Sequence, residues 1–109
     1  MNEPLPPAVQ AYFDATNAHD AAAIAACFTP DGWVHDEGSD HRGRDAIRAW
    51  GQDVIDKYDL ISRVTGAEAR DDALTVTAEV SGNFDGSPAE ITYLFDLDGD
   101  GLISAMRVP

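Results

Sequence analysis

The order of patterns along the chain predicts an α+β fold, a curved antiparallel sheet with N-terminal helices closing over one of its faces. Three observations carry this expectation. Alanine-rich segments near the start place apolar residues at helical spacing, and from Leu74 onward the repeat changes to alternation by two. Asp-Gly pairs then punctuate the second half where hairpins need tight turns.

Pro6-Pro7 suits a first helical turn, because proline presets φ and the amide it lacks would be unpaired there anyway. Val9, Tyr12, Phe13 and Thr16 then fall on one side, so helix one is expected over residues 6–18. Asp20 can accept free amides at the start of a second helix, 21–28, which Pro30 and Gly32 close off. Residues 32–36, Gly-Trp-Val-His-Asp, read as a strand whose final carboxylate, Asp36, can point into a cup. Trp33 and His35 have the opposite parity and should point away from it as packing residues, toward the helices or another subunit.

The polar run 37–43 is a loop or tight hairpin leading into helix three, where Ile47, Trp50, Val54 and Tyr58 make one apolar stripe that reads as core. Leu74, Val76, Ala78 and Val80 alternate with Thr75, Thr77, Glu79 and Ser81, and Ile91, Tyr93, Phe95 and Leu97 alternate with Thr92, Leu94 and Asp96. With turns at Asp85-Gly86 and 98–101 and a closing strand over 102–108, the second half is expected to be a meander of antiparallel strands.

A chain of 109 residues is expected to form one domain over 1–109, large enough to enclose a small pocket. With 44% hydrophobic, 8% aromatic and 25% charged residues it fits a soluble globular protein, not a disordered one. Seven Lys and Arg against 20 Asp and Glu leave a formal charge of −13, a field that repels phosphate backbones and anionic membrane surfaces. Nucleic acid and membranes are therefore not expected partners, and the acid-rich surface reads first as a solubility device. The single cysteine, Cys27, sits in an apolar run and reads as a small buried hydrophobe. The sequence has no apolar stretch of bilayer length, and Met1-Asn2-Glu3-Pro4 lacks the basic start of a secretory signal, so a cytoplasmic location is expected.

Tyr12-Phe13 in the first helix, Ile24 and Phe28 in the second, the Asp36 strand and then Gly43-Arg44-Asp45-Ala46-Ile47-Arg48-Ala49-Trp50 follow in an order that resembles a known family. It is the SnoaL-like branch of the NTF2-like superfamily, which includes ketosteroid isomerases, polyketide cyclases and limonene epoxide hydrolases. The resemblance implies the NTF2-like (cystatin-like) cone with an apolar interior. Laid beside a ketosteroid isomerase, the stretch from Tyr12 to Asp36 runs without an insertion. Tyr12 then falls where those enzymes keep the phenol of the oxyanion hole, and Asp36 where they keep the general base.

The chemistry fits the residue types. A carboxylate can take a proton alpha to a carbonyl, and a phenol can hydrogen-bond the oxygen as it gains negative charge. The family's third partner, a protonated Asp on a late strand, is replaced by Tyr93, whose parity with Ile91 and Phe95 would let its hydroxyl donate to the same oxygen. Its bulk argues against steroid-sized substrates. Catalytic Asp36, Tyr12 and Tyr93 would thus work in a pocket walled by Phe13, Val34, Trp50, Val54, Ile91 and Phe95, on a small hydrophobic carbonyl compound and without a cofactor. Apolar walls would lift the Asp36 pKa toward the working pH.

Each residue also has a purely structural reading. Asp36 could accept backbone amides at a strand end, and Tyr12 and Tyr93 could be buried with their hydroxyls tied to carbonyls. The same cone could then serve a non-catalytic binding or dimerisation module, filled by its own Tyr93 and Trp50. Epoxide hydrolysis would need an Asp-Arg-Asp arrangement that the late strands do not offer. The run from Asp96 to Gly101 matches the first half of a calcium loop, but Arg107 stands where a bidentate Glu belongs, so it reads as a hairpin turn. His35, Asp36, Glu37, Asp40 and His41 match no zinc spacing and read as a solvated loop, so no metal is assigned. No Gly-rich phosphate loop or nucleophile elbow is present. The resemblance implies a homodimer through the outer sheet face, where Thr65, Thr75, Thr77 and Thr92 would suit a polar, wet interface.

Overall fold

Pro6 precedes helix α1 (Pro7–Asn17), which turns Val9, Tyr12, Phe13, Ala15 and Thr16 inward. The structure is a computed structural model describing residues 5–70 and 73–109. Helix α2 (Ala21–Ala26) starts as expected, with the Asp20 carboxylate accepting the Ala23 amide at 3.1 Å. It ends two residues short of the predicted 21–28, because the Cys27 carbonyl already accepts the Ile103 amide and Phe28 pairs with Ile103. Cys27 is buried and its thiol donates to the Ala23 carbonyl at 3.3 Å.

Strand β1 (Phe28–Asp36) is therefore longer than the predicted 32–36 and contains Pro30 and Gly32, the residues expected to separate helix from strand. Its register against the closing strand shifts between Phe28 and Trp33, and Pro30, which has no amide to pair, falls in that interruption. Glu37 and Gly38, both with positive φ (52° and 76°), make the two-residue turn that right-twisted hairpins favour. Residues 39–42 of the predicted loop form strand β2 (Ser39–Arg42), antiparallel to β1. Helix α3 (Arg44–Tyr58) buries Ile47, Trp50, Gly51 and Ile55, with Val54 and Tyr58 half-buried at its C-terminal end.

Four strands follow: β3 (Ile61–Arg70), β4 (Ala73–Ser81), β5 (Ala89–Leu97) and β6 (Ile103–Arg107). All six join one sheet in the order β2-β1-β6-β5-β4-β3. The sheet is mixed, a correction to the antiparallel expectation. The other neighbouring pairs are antiparallel, but β6 runs parallel to β1, because the hairpins from β3 onward reverse direction until the last strand returns alongside the first.

The inner face carries Leu74, Val76, Ala78 and Val80 of β4, Tyr93 and Phe95 of β5, Ile103 and Met106 of β6 and Val34 of β1, all buried. The three helices belong to the same buried core. Phe13 meets Tyr93 edge-on at 5.2 Å between ring centroids, and Tyr12 meets Phe95 at 5.8 Å. Burying each such side chain stabilises the fold by roughly 1.5–3 kcal/mol.

The outer face is polar around one aromatic ring. Trp33 lies between the guanidinium groups of Arg42 and Arg107, 5.3 and 5.4 Å from its centroid. His35 pairs with Asp40 at 2.6 Å. Both residues point away from the helices, on the side that also carries Thr75, Thr77 and Thr92. Among the described residues no helix is long and apolar enough to cross a membrane.

Candidate active site

The helices and the inner sheet face leave between them a cavity of about 230 Å³. Asp36 reaches its wall because inward parity along β1 places Val34 and Asp36 on the helix side, and the turn at Glu37 then carries the backbone away. Its Oδ2 accepts the Trp50 indole N–H at 3.1 Å, which ties the end of β1 to α3. Burial raises the Asp36 pKa above its ordinary value. The Trp50 and Glu37 amide hydrogen bonds and the neighbouring His41 work against that rise, whereas the Glu37 charge adds to it.

Tyr12 and Tyr93 form the same wall, with ring centroids 6.3 Å apart. Burial lifts the Tyr12 phenol well above its usual range, with Tyr93 and the Asp36 charge adding to the rise and Thr16 opposing it. Tyr93 is pushed up to about 12 by burial, with Ser62 lowering it and the Asp36 charge raising it. Both phenols therefore stay protonated at neutral pH and can act only as neutral donors or acceptors. The carboxylate acts on each phenol electrostatically, and the three groups line one cavity.

Trp50, Val54 and Ile91 also line the cavity. Phe13, Val34 and Phe95 do not, contrary to the sequence reading. Their side chains are 2%, 0% and 0% exposed. Phe95 pairs with Leu74 and Met106 one inward step beyond Tyr93, where α1 covers it with the Tyr12 and Phe13 rings. Val34 lies in register with His41 and Met106. These three support the wall from behind.

Sequence reasoning missed the rim. Glu37, Tyr58, Leu60, Phe84 and Val108 all line the cavity. Tyr58 donates to Glu37 Oε1 at 2.6 Å, and Phe84 stands edge-on to Tyr58 at 6.1 Å. Tyr58 was legible as the last member of the α3 stripe but was assigned to the core. Glu37 gave no signal, because the positive φ of the turn breaks strand alternation. A second hollow shares Asp36, Glu37, Trp50, Val54 and Tyr58 with the cavity and adds Ser39, His41, Asp53, Asp56 and Lys57.

The acid-rich stretches are divided by the sheet. His35 and Asp40 sit on the outer face, Asp36 and His41 on the inner one. Among the described residues no group of three or more His, Cys, Asp and Glu is placed to hold a metal ion. The Asp98 carboxylate accepts the Asp100 and Leu102 amides at 2.9 and 3.0 Å, which makes it a turn-forming residue. Asp96 instead pairs with Arg107 outside the sheet at 3.3 Å.

The SnoaL-like domain family matches residues 9–106. A candidate polyketide cyclase from Sinorhizobium meliloti is 35% identical, with 96% of this chain and 95% of that one covered and a TM-score of 0.90. A protein of ketosteroid isomerase-like fold from Catenulispora acidiphila, in complex with trimethylamine, is 22% identical over 97% of this chain and 86% of that one, with a TM-score of 0.82. At that identity the likeness carries the fold and nothing of the ligand. The epoxide hydrolase/cyclase-like enzyme SalBIII of salinomycin pyran-ring formation is 22% identical over 93% of this chain and 85% of that one, with a TM-score of 0.77, and it too speaks for the fold alone. No curated protein matches the chain. Helices over the inner face of a curved sheet, a carboxylate in the cavity wall and a family match over nearly the full length agree: the chain belongs to the SnoaL-like domain family.

Proposed function

We propose that this member of a family with cyclase-type and isomerase-like relatives is a cofactor-independent proton-transfer enzyme acting on a small carbonyl compound in the 230 Å³ cavity. The observation that carries the reading is a carboxylate with a raised pKa in the wall of an apolar cavity that two protonated phenols also line. A ligand carbonyl oxygen would accept from Tyr12 or Tyr93, and a C–H alpha to it would face Asp36. Asp36 takes that proton, the bonding pair moves into an enolate whose charge the phenols hydrogen-bond, and neutral Asp36 returns the proton to carbon. The Trp50 N–H holds the carboxylate in place for this exchange. A cavity of about 230 Å³ with the Tyr93 ring in its wall suits a small ligand.

Exchange of α-hydrogens for deuterium in small cyclic ketones, followed by NMR, tests the reading without knowledge of the natural substrate. The chain should accelerate exchange, and Asp36→Asn should slow it by about 10²–10⁴-fold while ketone binding persists. Unchanged exchange in that variant would remove Asp36 from the mechanism.

The second reading is a non-catalytic module that binds a small hydrophobic molecule. It is favoured by the Asp36 carboxylate already accepting the Trp50 N–H and the Glu37 amide, bonds that a structural acid would make. Ketone binding without any accelerated exchange would select it.

We further propose a homodimer through the outer sheet face. The Trp33 ring between Arg42 and Arg107 supports it as an anchor, with Thr75, Thr77 and Thr92 farther across the same face.

A further inference from the structure

We propose that the ligand of this cavity carries an organic ammonium head, a protonated or quaternary amine, seated at the rim formed by Glu37, Tyr58 and Phe84. The proposal rests on the reading that the cavity is the ligand's place, and it names the chemistry of the ligand's polar end. It concerns binding and stands whether or not turnover follows.

Five aromatic side chains line the cavity: Tyr12, Trp50, Tyr58, Phe84 and Tyr93. Two carboxylates, Asp36 and Glu37, join them, and among the described residues the lining contains no Lys, Arg or His. Ring faces are the negative pole of an aromatic quadrupole, so this wall attracts positive charge from both its rings and its acids. An anionic ligand would meet two like charges and no counter-charge. A fully neutral apolar ligand would gain nothing from these two carboxylates, whose existing bonds run to the Trp50 N–H and the Tyr58 hydroxyl.

The protein already performs this recognition once with its own side chain. Lys57 lines the adjoining hollow and not the cavity, and its Nζ lies 4.9 Å from the centroid of Tyr58, a ring that lines both. Tyr58 and then Glu37 favour the charged form of that ammonium. The hydrogen bond from Tyr58 does not exhaust Glu37, because a carboxylate has about four acceptor positions. A ligand ammonium can therefore meet Glu37 with that bond intact. Outside the rim Asp53 and Asp56 line the hollow, and the −13 charge of the chain concentrates cations near the entrance at low salt. The remaining wall of Val54, Leu60, Val80, Ile91 and Val108 suits a short hydrocarbon body behind the head.

Calorimetric titration of the full chain with choline and with its neutral isostere 3,3-dimethyl-1-butanol tests the charge alone, since the two differ in one atom of the head. Choline should bind more tightly by a factor on the order of ten. Glu37→Gln should remove most of that preference, whereas Glu90→Gln, which removes an equal charge from the outer face, should leave it. Equal binding of the two probes, failure of both to bind, or an equal loss in the two variants would each overturn the proposal. Loss of ketone exchange with the choline preference intact would instead count against the catalytic reading only.

Discussion

At Asp36 the environment makes two opposed demands. Burial favours the neutral acid, and the Trp50 and Glu37 amide bonds favour the carboxylate, with burial the stronger. The resulting upward shift gives two predictions of opposite sense. If Asp36 is the base, exchange activity should rise with pH through a midpoint above the ordinary Asp value, because only the ionised form takes a proton. For stability, the raised folded pKa means that the Asp36 contribution is fully present below the unfolded pKa and is lost as pH rises through the folded one. Asp36→Asn should therefore raise the Tm at pH 7, by an amount that disappears when both proteins are melted below the unfolded Asp pKa. Tyr12→Phe separates donation from packing: exchange should fall by about 10²–10³-fold while the Tm changes little, because the ring stays in place. Asp36, Tyr12 and Tyr93 were legible as a group because strand and helix parity say which way a side chain faces. Phe13, Val34 and Phe95 were misplaced because parity does not say how deep along the face the helices close, and Glu37 was missed because a turn residue with positive φ obeys no parity.

Among the elements, the shortest helix depends most on its cap. Asp20→Ala removes the acceptor of the Ala23 amide and should cost about 1 kcal/mol in urea denaturation. The contact between the C-terminal end of α3 and the β4–β5 hairpin is tighter still. A Cβ on Gly82 would lie 2.5 Å from the Tyr58 carbonyl oxygen and 2.9 Å from Leu60 Cδ2. Gly82→Ala should therefore destabilise by roughly 1–3 kcal/mol and, by displacing Tyr58 and Leu60, weaken ligand binding at the rim. Strand β3 shows why one element escaped the sequence reading. Its register shifts at Thr65, so Ser62 and Val64 face inward on one side of the irregularity and Ala67 and Ala69 on the other, and no single alternation spans the strand. The ends of α2 and β1 escaped for a different reason, since the pairing of Phe28 with Ile103, 75 residues away, overrides the local signals of Pro30 and Gly32.

For the whole molecule, the excess of 20 acids over seven Lys and Arg acts through long-range repulsion that salt screens within about 10 Å at 0.1 M. The Tm should rise between low and moderate NaCl, and a flat or falling curve would show that local ion pairs such as Arg63–Glu79 and Arg107–Asp96 outweigh that repulsion. Light scattering at micromolar concentration should give a dimer mass that Trp33→Glu lowers to the monomer, with the inner-face cavity unaffected. The alternation of side chains, the caps and the turn residues are local properties of a chain, so the sequence alone determined the α+β class, the helix starts, the late hairpins and the inward direction of the acid and the two phenols. Which strand β6 would join, how far the helices would close over the sheet, and which turn and helix-end residues would meet as a rim depend on contacts between distant segments. Those contacts have no local signature, and only the tertiary structure decided them.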